Sequence, residues 1–131
     1  MKAFEPISDT VNSTAKEIVD AALKVHKALG PGLMESIYEA CLTHELNLRG
    51  INVETQVPVP IVYEGLHLPS ALRLDMLVQG QVIVELKAAE TMNPVFEAQL
   101  LSYLKLADKR LGLLINFNVC QLKDGIKRLI L

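Results

Sequence analysis

The sequence has no tryptophan, and its three Phe and three Tyr make up only 5% of 131 residues. A broad base-stacking platform for nucleic acid is therefore not expected. Its only two cysteines, Cys41 and Cys120, lie in no CxxC or Cys/His spacing, which argues against structural zinc. Both sit in apolar surroundings and read as buried free thiols. No apolar run approaches the ~18 residues of a membrane span, and no charged-then-apolar leader opens the chain. The expectation is a cytoplasmic protein with no membrane partner. An excess of positive charge is also missing. Thirteen Lys and Arg against 15 Asp and Glu give −2, whereas proteins that live by neutralising phosphates are usually basic. The deficit is uneven: residues 1–65 hold five basic and nine acidic side chains, residues 66–131 eight and six. Any polyanion contact is expected on the second half. P-loop, dinucleotide and nucleophile-elbow fingerprints are absent.

What is present is a core. Half the residues are hydrophobic, and a chain of this length removes about two-thirds of its unfolded surface from water, so one globular domain is expected over 13–131 behind a loose arm at 1–12. Thr14-Ala15-Lys16-Glu17 has capping-box spacing, with Ile18, Ala22, Val25 and Leu29 following at helical intervals until Gly30-Pro31-Gly32 stops the helix. A second helix is read from about Glu35 to Arg49, with Leu33, Ile37, Cys41 and Leu42 inward. The period then changes to two from Val53 to Tyr63, where Pro58 and Pro60 remove ladder donors and predict an edge or bulged strand. Leu72–Val78 and Val82–Lys87 read as a hairpin, Asn93-Pro94 starts a third helix reaching about Ala107, and Leu111–Phe117 and Ile126–Ile130 read as strands. The order is α-α-β-β-β-α-β-β, an α+β arrangement with a mixed sheet flanked by helices.

The hairpin carries the first chemistry. Asp75 interrupts one apolar strand, and Glu85 and Lys87 interrupt the next on a single face, because side chains alternate. A three-residue loop, Gln79-Gly80-Gln81, puts Asp75 opposite Glu85; a two-residue loop pairs it with Val84 instead. In the first register two carboxylates meet at cross-strand distance and repel unless a cation lies between them. Mg²⁺ (or Mn²⁺) suits such oxygen donors and keeps waters that a phosphate can displace, with Lys87 placed to stabilise developing charge. The plain alternative is an ion-paired patch on a solvent-facing hairpin. Against it stands the cost of three charges in strands this hydrophobic. Gln99 and Tyr103, four apart, share one face of the third helix, where an amide and a phenol could hold a phosphate or position Lys87. Glu35 opens the second helix, where the helix dipole favours an acid without any function; it could also add a carboxylate to the metal site, with Tyr38 one turn on as a buttress. His26, His44 and His67 have no ligand spacing. Lys105, Lys109, Arg110, Lys123, Lys127 and Arg128 read either as a backbone-tracking patch or as solvated ends.

Gly32-x-x-Glu35-x-x-Tyr38, together with the segments Val82–Lys87, Glu97–Tyr103 and Leu113–Phe117, resembles the small GxxExxY proteins of the PD-(D/E)XK nuclease superfamily. The resemblance runs from about residue 14 to 130. It implies a restriction-endonuclease-like αβββαβ core, matching the order above from the second helix onward. It also implies Asp75 and Glu85 as metal ligands, the Leu86 carbonyl as a further ligand, Lys87 as catalytic, and Gln99 and Tyr103 as the Gln-x-x-x-Tyr of RecB-like members. Glu35 corresponds to the early helical glutamate. Leu74 stands where the superfamily pattern has proline. The implied activity is Mg²⁺- or Mn²⁺-dependent hydrolysis of nucleic-acid phosphodiester bonds by a metal-activated water, on DNA in preference to RNA. The low net charge implies delivery by a protein partner or by homo-oligomerisation. Two rivals are a catalytically silent binding or scaffold module of the same fold, and a hydrolase of small phosphates, which a deep closed pocket would favour.

Overall fold

The computed structural model describes residues 5–131. Helix α1 spans Asp9–Leu29 and α2 Glu35–Leu48. Strands β1 (Val53–Tyr63), β2 (Leu66–Val78) and β3 (Val82–Lys87) follow, then α3 (Val95–Leu106), β4 (Leu111–Asn116), a 3₁₀ turn at Leu122–Gly125, and β5 (Ile126–Ile130). Among the described residues no helix is long and apolar enough to cross a membrane.

The start of α1 differs from the expectation. Ser8, not Thr14, caps the helix by accepting the Val11 N–H at 3.2 Å, so residues 9–12 of the supposed arm are helical. Thr14 lies on the buried face and returns its hydroxyl to the Thr10 carbonyl at 3.1 Å, which satisfies it inside the helix. Ile7 and Val11 continue the apolar stripe toward the N-terminus and pack on the core. The part of the expected arm at residues 1–4 lies outside the described residues. In α2 the inward stripe is Tyr38, Leu42 and Leu46, while Ile37 is exposed. Cys41 is half-buried and Cys120 exposed, so the thiols are free as expected but not both buried.

All five strands form one sheet in the order β1-β2-β3-β4-β5, antiparallel except for the parallel β3–β4 pair. A parallel pair needs a crossover, and α3 supplies it. The two faces are covered by different helices. Residues of α1 and α2 pack on Val78, Val84, Leu86, Leu113 and Ile115, whereas Leu100 and Leu104 of α3 pack on Val59, Leu74, Ile83 and Leu114. Burial on both faces explains why β3 and β4 read as near-continuous apolar runs. At Gly112 the α3 layer comes so close that a Cβ would lie 2.9 Å from the Leu100 side chain. Strand β1 is an edge, as its prolines require, with an irregularity between Val59 and Ile61.

Candidate active site

The β2–β3 hairpin closes at Val78 opposite Val82, with Gln79, Gly80 and Gln81 as its loop. Gln79 and Gly80 both take positive φ, 54° and 63°. The three-residue loop selects the register that faces Asp75 toward Glu85. The regular ladder runs only as far as Met76 opposite Val84. One step further, side chains replace carbonyls: the Asp75 N–H donates to Glu85 Oε2 at 2.8 Å, and the Leu86 N–H donates to Asp75 Oδ2 at 2.9 Å. The two acids thus hold the point where the strands part.

That same point is a phase change in the sheet. Toward the loop, Met76 and Val78 face the α1–α2 layer; beyond Asp75, Leu74 and Leu72 face α3. Residues two apart should share a face, so the alternation slips by one at Asp75. Strand β1 slips with it. Val53 packs toward α1–α2 and Val57 toward α3, although Thr55 stays opposite Met76 and Val57 opposite Leu74. Gln56, between them, has φ 53°.

Glu85 is 4% exposed. Burial, and then the neighbouring Asp75 charge, push its carboxyl up to about 8. Tyr103, half-buried on α3, is raised as well, by burial and by the charges of Glu85 and Asp75. Phe96, Gln99 and Tyr103 lie on one stripe of α3. The Lys87 ammonium sits over the Phe96 ring, 4.5 Å from its centroid, and forms no ion pair within 4.0 Å among the described residues. The Lys87 carbonyl accepts the Phe117 N–H at 2.9 Å. Beside it, buried Asn116 accepts from the Ala89 and Asn118 N–H groups and donates to the Ala89 carbonyl, pinning the chain that leaves β3. Asn116 was not singled out from the sequence; a lone amide ending an all-apolar strand was its signal.

On the other side, α2 presents its first turn to Asp75. Glu35, Ser36, Glu39, Gln56, Asp75 and Leu86 line one small pocket of about 140 Å³. Glu35 is brought there by its loop. Gly32 takes φ 94°, and the Tyr38 hydroxyl accepts the Leu33 N–H at 3.1 Å and donates to the Gly30 carbonyl at 2.6 Å. The Tyr38 ring stacks on Phe117 with centroids 4.4 Å apart. Tyr38 is thus a buttress through the Gly30–Leu33 loop, not by contact with the acids. Tyr38→Phe strands two polar groups of the loop and is expected to cost about 1–3 kcal/mol in urea unfolding. A loss under 0.5 kcal/mol would remove the hydroxyl as the anchor. Glu39 and Gln56 were also missed; Glu39 repeats the Glu35 position one turn on, while nothing in the sequence marks Gln56.

The residues present suit a hard cation. Among the described residues, no three His, Cys, Asp or Glu side chains form a ready-made metal cage. The acids nonetheless each engage one oxygen with backbone, and among the described residues Asp75 Oδ1 and Glu85 Oε1 have no hydrogen bond. A carboxylate pair, Glu85 buried and Asp75 half-buried, with spare oxygens and no paired cation among the described residues is a donor set that a divalent ion satisfies. The expected basic patch is partly spent on structure: Lys127 pairs with Glu97, Arg110 holds the Glu5, Pro6 and Leu131 carbonyls, and Arg128 bonds Asn12. His26 is likewise structural, with Nε2 2.8 Å from the Val119 carbonyl oxygen.

Comparisons with curated proteins and with solved structures return no match. A family model does match, over residues 12–129, a span that takes in α2, α3 and β1 to β4 whole and nearly all of α1 and β5. On a match of that length, the chain belongs to the PD-(D/E)XK nuclease superfamily.

Proposed function

We propose that the chain is a divalent-metal-dependent nuclease that hydrolyses nucleic-acid phosphodiester bonds, with DNA preferred to RNA. The observation that carries this reading is the reciprocal Asp75–Glu85 arrangement, in which each acid is fixed by one backbone N–H and keeps one oxygen spare. Mg²⁺ or Mn²⁺ would be held by Asp75, Glu85 and the Leu86 carbonyl, with Glu35 lining a pocket beside Asp75 and Leu86. When bound, the cation supplies charge neutralisation and Lewis acidity at the phosphoryl group. Lys87, partly desolvated against Phe96, stabilises the negative charge that develops on the phosphate. Gln99 and Tyr103 orient the phosphate from the α3 side. Within the superfamily, the linked roles of Gly32, Glu35 and Tyr38 support placement among the GxxExxY proteins. The free thiols Cys41 and Cys120 suit a reducing compartment such as the cytoplasm.

Titration of Mn²⁺ and Mg²⁺ into wild type, Asp75→Asn and Glu85→Gln, followed by thermal unfolding, tests the metal site without a guess at substrate. Metal should stabilise wild type by about 2.7 kcal/mol at a hundredfold excess over its dissociation constant, and neither variant. An equal shift in all three proteins would place any bound ion elsewhere.

A further inference from the structure

Asp75 meets Glu85 where the β1–β2 pair changes phase, and one contact from outside the sheet grips that step. Gln56 lies between Thr55 and Val57, whose partners Met76 and Leu74 flank Asp75, so Gln56 is the cross-strand neighbour of Asp75. Its φ of 53° lies in the left-handed region, which residues with a Cβ adopt at a cost. A left-handed residue within a strand turns the chain about its axis, which matches the slip of β1, and β2 slips opposite it. Gln56 is exposed, so packing does not hold it in this conformation. Its side chain does: Gln56 Nε2 donates to Glu39 Oε1 at 2.8 Å, tying the step in β1 to the second turn of α2. Both residues line the pocket that contains Asp75 and Glu35.

We infer that the Gln56–Glu39 bridge is a positioning device for Asp75, clamping the phase step of the β1–β2 pair against α2 so that the Asp75 carboxylate faces Glu85 and the Leu86 N–H. The inference rests on the nuclease reading for its consequence in metal binding, but its structural half stands apart. Glu39 acts in this bridge as a hydrogen-bond acceptor, through Oε1. A neutral acceptor of the same shape should therefore serve nearly as well as the acid.

The variants are Gln56→Gly, which relieves the left-handed residue while deleting the bridge, together with Glu39→Ala, Glu39→Gln and the double variant Glu39→Ala/Gln56→Gly. Gln56→Gly keeps the protein folded by making its backbone easier to form, so loss of fold does not confuse the result. Two readouts are taken. The first, on metal-free protein, is hydrogen exchange of the Asp75 and Leu86 amides against the Val78 and Val82 amides at the loop end of the same hairpin. Exchange at Asp75 and Leu86 should accelerate at least tenfold in Gln56→Gly and Glu39→Ala, with Val78 and Val82 unchanged. The second is Mn²⁺ affinity, expected to fall about tenfold in both single variants, to stay within threefold of wild type in Glu39→Gln, and to fall no further in the double variant, because the two residues act as one unit.

Unchanged exchange at Asp75 and Leu86 in Glu39→Ala, which leaves the Gln56 backbone as it is, overturns the positioning role, whatever the metal data. Glu39→Gln as damaging as Glu39→Ala overturns it too, since Glu39 would then act through its charge. If wild type binds no Mn²⁺, the nuclease reading fails, and the exchange measurement alone decides the bridge.

Discussion

Lys87→Met is expected to lower metal-dependent cleavage of a DNA substrate by about 10²-fold or more while binding Mn²⁺ much as wild type does. The two effects separate because Lys87 and the acid pair sit differently. The Lys87 ammonium lies against Phe96 and pairs with no carboxylate within 4.0 Å among the described residues, so it is not needed to hold Asp75 or Glu85 in place. Its positive charge acts on Glu85 from a distance, favouring the ionised form. Removing that charge lets Glu85 hold its proton more tightly but also takes a repelling cation away from the site, so the two effects on Mn²⁺ binding oppose each other. What is lost is a fixed charge in a low-dielectric setting beside the reacting phosphate, where it is worth most. Asp75→Asn should instead abolish cleavage and Mn²⁺ binding together. Rates measured on one substrate with matched Mn²⁺ binding curves make the comparison. A Lys87→Met protein that cleaves within threefold of wild type would remove the lysine from the chemistry, and one that loses metal would make it part of the cation site instead.

The second large effect concerns the metal-free protein and pH. Glu85 titrates at about 8 when folded, against an ordinary value of 4.5, because burial and the Asp75 charge penalise its ionised form. A raised carboxyl binds its proton more tightly in the folded state. Its contribution is therefore complete below about 4.5 and is lost as pH rises toward 8, with stability falling across that window. One pH unit of that window corresponds to about 1.4 kcal/mol, so the full loss is a few kcal/mol, or on the order of 10 °C in Tm. Glu85→Gln has no such proton to lose, and its amide oxygen can still accept the Asp75 N–H. In chelator-treated protein the variant should match wild type near pH 5 and exceed it at pH 8. Saturating Mn²⁺ should reverse the order at pH 8, because only wild type binds the ion. Taking the difference between the two proteins cancels the titrating groups that do not interact with Glu85. A gap that does not open between pH 5 and pH 8 would mean that Glu85 is already ionised and solvated.

Much of the site was legible because it is built from strand alternation, the simplest periodicity a chain has. Charges at Asp75, Glu85 and Lys87 stand out from apolar neighbours, and Gln79-Gly80-Gln81 left one open choice, the loop length, which the pairing of Val78 with Val82 decides. Helix faces were harder. Ile37 outranks Tyr38 in hydrophobicity, yet Tyr38 is the buried one, since its hydroxyl finds Gly30 and Leu33 and its ring finds Phe117. Those partners are far enough away in space or sequence that no local pattern announces them. The start of α1 misled for a related reason: Thr14 and Glu17 satisfy a capping spacing, but a buried Thr can equally return its hydroxyl to a carbonyl four residues back. Glu39 and Gln56 meet across 17 residues and two layers, and a left-handed glutamine within a strand leaves no compositional trace.

The two borders of the sheet are not equivalent. Pro58 and Pro60 deprive the β1 border of two amide donors, and the neighbouring irregularity bends what remains, so an incoming strand finds no continuous template there. The β5 border, Ile126-Lys127-Arg128-Leu129-Ile130, has no proline, and its register with β4 runs without a break. Self-association of this chain into fibrils would therefore grow from β5, with Lys127 and Arg128 as the gatekeepers that oppose it by charge.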